Sequence, residues 1–266
     1  MLEFRTAAAT HVGLVRSHNE DSGFVGPRLV VVADGMGGAA AGEMASATAT
    51  RAADDVAREQ SAALAPRDLL ARTVQRAAER IAALVEADPA RAGMGTTFTA
   101  LHTDGTRVAL AHLGDSRAYL LRAPVLRQLS VDHTLVQSMV DAGRLSPAQA
   151  RRSSHRHIVT RSLGGGGSSQ PDLLDLDVAP GDRLLVCSDG LSDLVDDGDL
   201  ALVAGLPDAR AAVDLLVAGA LDAGGTDNVT CVLVDVVDVV DGGEGEGGGA
   251  THRGSFLGAA ADADAP

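Results

Sequence analysis

Four aspartates stand where a metal site is most readily built. Asp34 ends the apolar run Leu29-Val30-Val31-Val32-Ala33 and is followed by Gly35-Met36-Gly37-Gly38. The device recurs at Leu184-Leu185-Val186-Cys187-Ser188-Asp189-Gly190, and more loosely at Val108 to Ser116 around Asp115. It is mirrored at Gly225-Thr226-Asp227-Asn228, where the acid precedes the apolar run Val229 to Val234. Such β-branched runs read as buried strands. A carboxylate at the end of a buried strand is held rigidly at the edge of the core, and adjacent glycines let backbone carbonyls and amides approach what it holds. Carboxylates, carbonyls and water suit Mg²⁺ or Mn²⁺, not zinc or copper. Two such ions bridged by one Asp can hold a water or hydroxide between them, lower its pKa by several units and clamp the oxygens of an in-line displacement. A phosphoryl ester is the natural substrate, and the guanidinium of Arg16 can fork to two of its oxygens.

Several elements must position these acids. Residues 4–16 alternate weakly and end in a candidate strand, and the polar cluster Arg16-Ser17-His18-Asn19-Glu20-Asp21 follows. A central strand spans 28–33. Ala-rich stretches at 41–59 and 67–87 have helical spacing, with Pro66 near a start and Pro89 after an end. Gly93-Met94-Gly95-Thr96-Thr97 opens a strand to about Leu101. The spacing predicts strands at 107–113 and 117–122 joined by a tight turn at Asp115, and strands at 172–178 and 183–188 joined at Pro180-Gly181-Asp182. Short helices fall in 134–142 and after Ser146. Longer ones fall near 198–205 and 208–222, before a last strand at 229–236. Strand pairs followed by helices do not alternate as βαβ units, and the hairpin signals favour antiparallel sheets covered by helices, an α+β layered domain. The domain runs from 1 to 240. After Val240 the chain is rich in Gly, Glu, Asp and Ala, so 241–266 reads as a disordered tail.

Composition excludes several functions. All 22 basic residues are arginine, so no P-loop, kinase or Schiff-base lysine is available. A net charge of −14 opposes nucleic-acid or anionic-membrane partners. Aromatic residues are only 2%, so the core is built from Ala, Val and Leu. Cys187 and Cys231 sit in apolar runs as buried free thiols, and no zinc spacing occurs. No apolar run approaches the ~20 residues of a membrane span, and no signal segment is evident. The expectation is a cytoplasmic protein with no direct membrane insertion.

Six motifs in order carry a resemblance: the Arg16–Asp21 cluster, Ala33-Asp34-Gly35-Met36-Gly37-Gly38, Gly93-Met94-Gly95-Thr96-Thr97, Gly114-Asp115-Ser116-Arg117, Cys187-Ser188-Asp189-Gly190-Leu191 and Gly225-Thr226-Asp227-Asn228-Val229-Thr230. Over about residues 3–240 the chain resembles the metal-dependent (type 2C) serine/threonine protein phosphatases, most of all the compact bacterial members. The resemblance implies a four-layer α-β-β-α sandwich with a flap at about 130–165. It implies that Asp34 bridges two Mn²⁺ or Mg²⁺ ions, that the Gly35 carbonyl binds one of them, and that Asp189 and Asp227 complete the other's shell. Glu20 would act through a metal-bound water, and Asp21 would support the loop. Arg16 would hold the substrate phosphate, and Asp115 would bind a third, weaker ion. Phosphorylated Ser/Thr proteins are the implied substrates, an opposing Ser/Thr kinase an implied partner, and the monomer the implied unit. The alternative is a catalytically silent module that regulates by binding. Two positions depart from the pattern: Met36 stands where some members carry a general-acid His, and His157 stands where some bacterial members place a Ser on the third metal.

Overall fold

The computed structural model of the protein describes residues 1–37, 41–239 and 254–262. In its first half come β1 (Leu2–His11), β2 (Asp21–Val25), β3 (Leu29–Met36), α1 (Ala41–Gln60), α2 (Pro66–Ala87), β4 (Gly95–Thr96), β5 (Phe98–Thr103), β6 (Val108–Leu113), β7 (Arg117–Arg122) and β8 (Val125–Gln128). Then follow α3 (Leu135–Asp141), α4 (Pro147–Arg151), β9 (Leu163–Gly164), β10 (Asp172–Leu176), β11 (Arg183–Cys187), α5 (Asp189–Ser192), α6 (Asp197–Ala204), α7 (Ala209–Asp222), β12 (Val229–Asp238), β13 (Ser255–Gly258) and α8 (Ala259–Asp262).

Two antiparallel sheets stack face to face, in the orders β1-β12-β11-β7-β8 and β10-β6-β5-β3-β2-β13. Strand periodicity explains why both are apolar on both faces. In β3, Val30 and Val32 enter the layer between the sheets, whereas Leu29 and Val31 face the helices α1 and α2. In β12, Val232, Val234 and Val236 enter that middle layer, while Val229, Cys231 and Leu233 face α5, α6 and α7. The helices cover the outer faces because each carries one apolar stripe. On α1 the stripe is mostly alanine, with Ala45, Ala49, Ala52, Ala53 and Val56 fully buried. On α2 it is Leu69, Leu70, Thr73, Val74, Ala77 and Ile81, after a proline in the first turn. The expected α-β-β-α architecture is present.

The structure differs from the sequence reading in three places. Neither predicted turn closes a hairpin, because β6 and β10 lie in one sheet and β7 and β11 in the other. The Gly114-Asp115-Ser116 link therefore crosses between sheets, and both crossings are short because the sheets pack directly on each other. The polar Asp21 begins β2, whose register pairs Asp21 with Asp34. Lastly, the expected disorder of 241–266 does not hold for 254–262. There, β13 pairs with β2 and α8 buries Ala259 and Ala260, since Phe256 and Leu257 supply large apolar side chains and pack against the core. The rest of that expected tail lies outside the described residues.

Candidate metal and phosphate site

The strand ends converge on one cleft of about 870 Å³. Arg16, Glu20, Asp34, Gly35, Asp115, Asp189 and Asp227, the residues singled out from sequence, all line it. Met36 and His157 line it as well.

Each acid is fixed by its neighbours. The Asp34 backbone is bracketed by two threonines: its N–H donates to Thr97 Oγ1 (2.8 Å), and its carbonyl accepts from the Thr97 N–H (2.9 Å) and the Thr96 hydroxyl (2.9 Å). Thr97 Oγ1 also lies 2.7 Å from Ser116 Oγ, so one hydroxyl couples the loops of Asp34 and Asp115. Asn228, buried beside Asp227, accepts from the Glu20 N–H (2.8 Å) and donates to the carbonyls of Val12 (2.8 Å) and His18 (2.9 Å). It thereby ties the Arg16–Glu20 loop to the start of β12. Gly35 admits no side chain: a Cβ would lie 2.3 Å from the Gly42 carbonyl oxygen and 2.6 Å from that of Glu20. Asp21 is fully buried; its Oδ2 accepts from the Ser188 hydroxyl (2.8 Å), and its Oδ1 has no hydrogen-bond partner among the described residues.

The electrostatics are those of crowded anions. Six carboxylates, Glu20, Asp34, Asp115, Asp189, Asp193 and Asp227, face two guanidinium groups, Arg16 and Arg156. Burial and then the charges of Asp21, Asp189, Asp115 and Asp227 push Asp34 well above the ordinary carboxylate range. Burial and then Asp189 and Asp132 do the same to Asp115. Glu20 is raised by burial, partly offset by Arg16, and buried Asp21 is pushed up to about 7, chiefly by desolvation. The Arg16 guanidinium lies 2.7 Å from Asp227 Oδ2, and that hydrogen bond raises its own pKa. The His157 Nδ1 lies 3.7 Å from Asp189 and 3.6 Å from Asp193, and its pKa is raised, mainly by the nearby Asp189 carboxylate. Carboxylates so arranged cannot all ionise without added positive charge. The carboxylate oxygens with a bare glycine carbonyl nearby fit hard divalent cations, and the His157 imidazole sets one nitrogen donor close beside Asp189 and Asp193.

Sequence reasoning missed Asp193, which with His157 and Asp189 places ligand atoms within 4.8 Å of one another. The signal was present: Asp189 and Asp193 are four apart, one helical turn. It also left the bracketing roles of Thr97, Ser188 and Asn228 unread, because these depend on pairings between distant strands.

A two-sheet sandwich with a carboxylate cleft at the strand ends defines a class of oxygen-ligand metal centre. The chain belongs to the protein phosphatase 2C family, whose model matches residues 16–216. It is 43% identical over 240 residues to the serine/threonine protein phosphatase PstP of Mycobacterium tuberculosis, covering 89% of this chain and 46% of that protein. The chain thus spans about half the length of that relative. It is 36% identical over 244 residues to the serine/threonine phosphatase stp of Listeria monocytogenes, covering 88% of this chain and 94% of that one. Among solved structures, M. tuberculosis PstP superposes with a TM-score of 0.84 at 41% identity, covering 88% of this chain and 99% of that one. The PstP catalytic domain in complex with two manganese ions superposes at 0.83 and 42% identity, covering 90% and 100%.

Proposed function

We propose that this protein is a metal-dependent phosphatase of phosphoserine and phosphothreonine proteins. The observation that carries the proposal is the meeting of Asp34, Asp115, Asp189 and Asp227, from four distant segments, in one cleft with Arg16 at its edge. Asp34, the Gly35 carbonyl, Asp189 and Asp227 would hold two Mn²⁺ or Mg²⁺ ions, with Glu20 acting through water and Asp115 beside a third position. When bound, such ions supply Lewis-acid charge and lower the pKa of water for attack on phosphorus.

The chain's own residues do the rest. Arg16 is half exposed at the cleft, and its fork, now on Asp227, has the geometry to bind two phosphate oxygens. Thr96, Thr97 and Asn228 hold the acids in place. No phosphoenzyme is expected, since both thiols are buried and burial pushes Cys187 up to about 12. The relatives' names support phosphorylated Ser/Thr proteins as substrates. An opposing kinase and a monomeric unit rest on family resemblance alone. Among the described residues no helix is long and apolar enough to cross a membrane.

The test is Asp34→Ala. Mn²⁺-dependent hydrolysis of a phosphopeptide should fall about 10³-fold or more, roughly 4 kcal/mol of barrier. Undiminished turnover in that variant would overturn the assignment. A silent binding module would instead show no Mn²⁺ uptake in the wild type by calorimetry.

A further inference from the structure

The C-terminal segment reaches the metal site from the side that the motifs do not mark. β13 adds to the outer edge of β2, pairing Ser255 with Val25 and Gly258 with Ser22. Phe256 packs edge-on against Phe24, with ring centroids 5.2 Å apart. The Arg51 guanidinium of α1 lies 5.1 Å over the Phe256 ring, and its Nη2 donates to the Ala260 carbonyl at 2.7 Å. α8 then buries Ala259 and Ala260 against α1. One short segment is therefore fastened to both β2 and α1.

These two elements flank the Asp34-Gly35 loop. β2 begins with Asp21 opposite Asp34. α1 contributes Ser46, whose hydroxyl donates to the Glu20 carbonyl at 2.6 Å, and Gly42, against which Gly35 is pressed. The contact is closest at Gly258. Its φ is +59°, and a Cβ there would lie 2.2 Å from the Asp21 carbonyl oxygen and 3.5 Å from Asn19 Nδ2. Glycine is needed at that position on both counts. Without β13, β2 would be an open edge strand, and such edges fray or pair elsewhere.

We propose that residues 254–262 are a positioning element of the metal site: they staple β2 to α1 and so hold Glu20, Asp21 and the Asp34-Gly35 loop in the geometry that takes the ions. The inference rests on the metal-site reading above. Its test uses full-length Gly258→Val, which drives a side chain into Asp21, and Phe256→Ala, which releases the far end. Leu216→Ala, in the α7 layer on the opposite sheet, is the control for lost stability alone.

Mn²⁺ affinity is measured by calorimetry at 10 °C on variants whose folded state is first verified by circular dichroism, and amide exchange is followed in the metal-free proteins. Gly258→Val should bind Mn²⁺ about tenfold more weakly, the scale expected of an outer partner of a metal ligand. Phe256→Ala should shift in the same direction, and exchange at residues 19–25 should quicken in both. Leu216→Ala should lower the melting temperature and leave affinity unchanged. Wild-type affinity in both tail variants would overturn the proposal whatever their exchange, as would an equal affinity loss in Leu216→Ala. If the wild type took up no Mn²⁺, the metal-site reading would fail by itself, and exchange at 19–25 would still decide whether the staple exists.

Discussion

Arg16 shows how a single residue can serve two partners. In the cleft its guanidinium neutralises Asp227 at 2.7 Å. The same fork suits two phosphate oxygens, and charge-assisted bonds of this kind are worth about 1.5–3 kcal/mol each. Arg16→Ala should therefore raise KM for a phosphopeptide about tenfold or more while lowering kcat less, the pattern of lost substrate binding. Arg16→Lys should recover only part of it, because an ammonium cannot fork. Equal loss in kcat and none in KM would place Arg16 elsewhere in the reaction. A second residue-scale prediction concerns His112, buried between Thr99 Oγ1 (3.0 Å) and the Val131 carbonyl (3.1 Å), with its ring tilted against that of His133. Burial, and then the His133 charge, lower its pKa to about 4. The unfolded chain binds this proton near pH 6.5 and the folded chain does not, so stability is lost as pH falls from about 6.5 to 4, by up to about 3 kcal/mol. Asp21, raised to about 7, acts with the opposite sign, losing stability as pH rises through that range. The measurement is thus a difference: in urea unfolding at pH 7.5 and 5.0, His112→Gln should lose less stability on acidification than the wild type. Identical losses would rule out His112 as a contributor.

At the scale of elements, the site is a set of strand ends locked to one another by small polar side chains. Ser188 is the clearest lock. Its hydroxyl oxygen accepts from the Thr230 N–H (2.9 Å) and the hydroxyl donates to Asp21, so the ends of β11, β12 and β2 meet at one buried atom. Ser188→Ala leaves the Thr230 N–H and one Asp21 oxygen short of a partner. It should destabilise by about 2 kcal/mol, a drop in melting temperature of roughly 4–8 °C for a domain of this size. A calorimetric shift under about 1 °C would show that this lock is redundant. Such locks also explain what was legible in the sequence. The run Leu29 to Ala33 ending in Asp34 announces a strand end by itself, and so do the runs around Asp189 and Asp227. The helices α1 and α2 are equally plain from their spacing. β2 was not legible, because Asp21-Ser22-Gly23 reads as loop until one sees Asp34, Ser46 and Ser188 around it. β13 was masked by the composition before it. The sheet-crossing at Asp115 was hidden because a tight turn looks the same whether or not its strands pair.

For the molecule as a whole, the net charge of −14 and the inward crowding of acids have one consequence in common. Folding gathers carboxylates that repel one another, and the unfolded chain is free of that repulsion. Asp34 and Asp115, both raised well above their ordinary range, show where the strain is concentrated. On the proposed metal-site reading, divalent cations bind only where those acids have been brought together, and so stabilise the folded state by mass action. At a free Mn²⁺ concentration 100-fold above its Kd the gain is about 2.7 kcal/mol, which raises the melting temperature by roughly 5–10 °C. Chelation should reverse it fully, and Asp34→Ala should abolish it while melting no lower than the chelated wild type, since removing one of several like charges relieves the repulsion. Because this measurement needs no substrate, it separates the cation site from the chemistry assigned to it. A melting temperature that stayed flat from micromolar to millimolar Mn²⁺ would mean that the converging aspartates hold no ion, and that the cleft has some use other than hydrolysis.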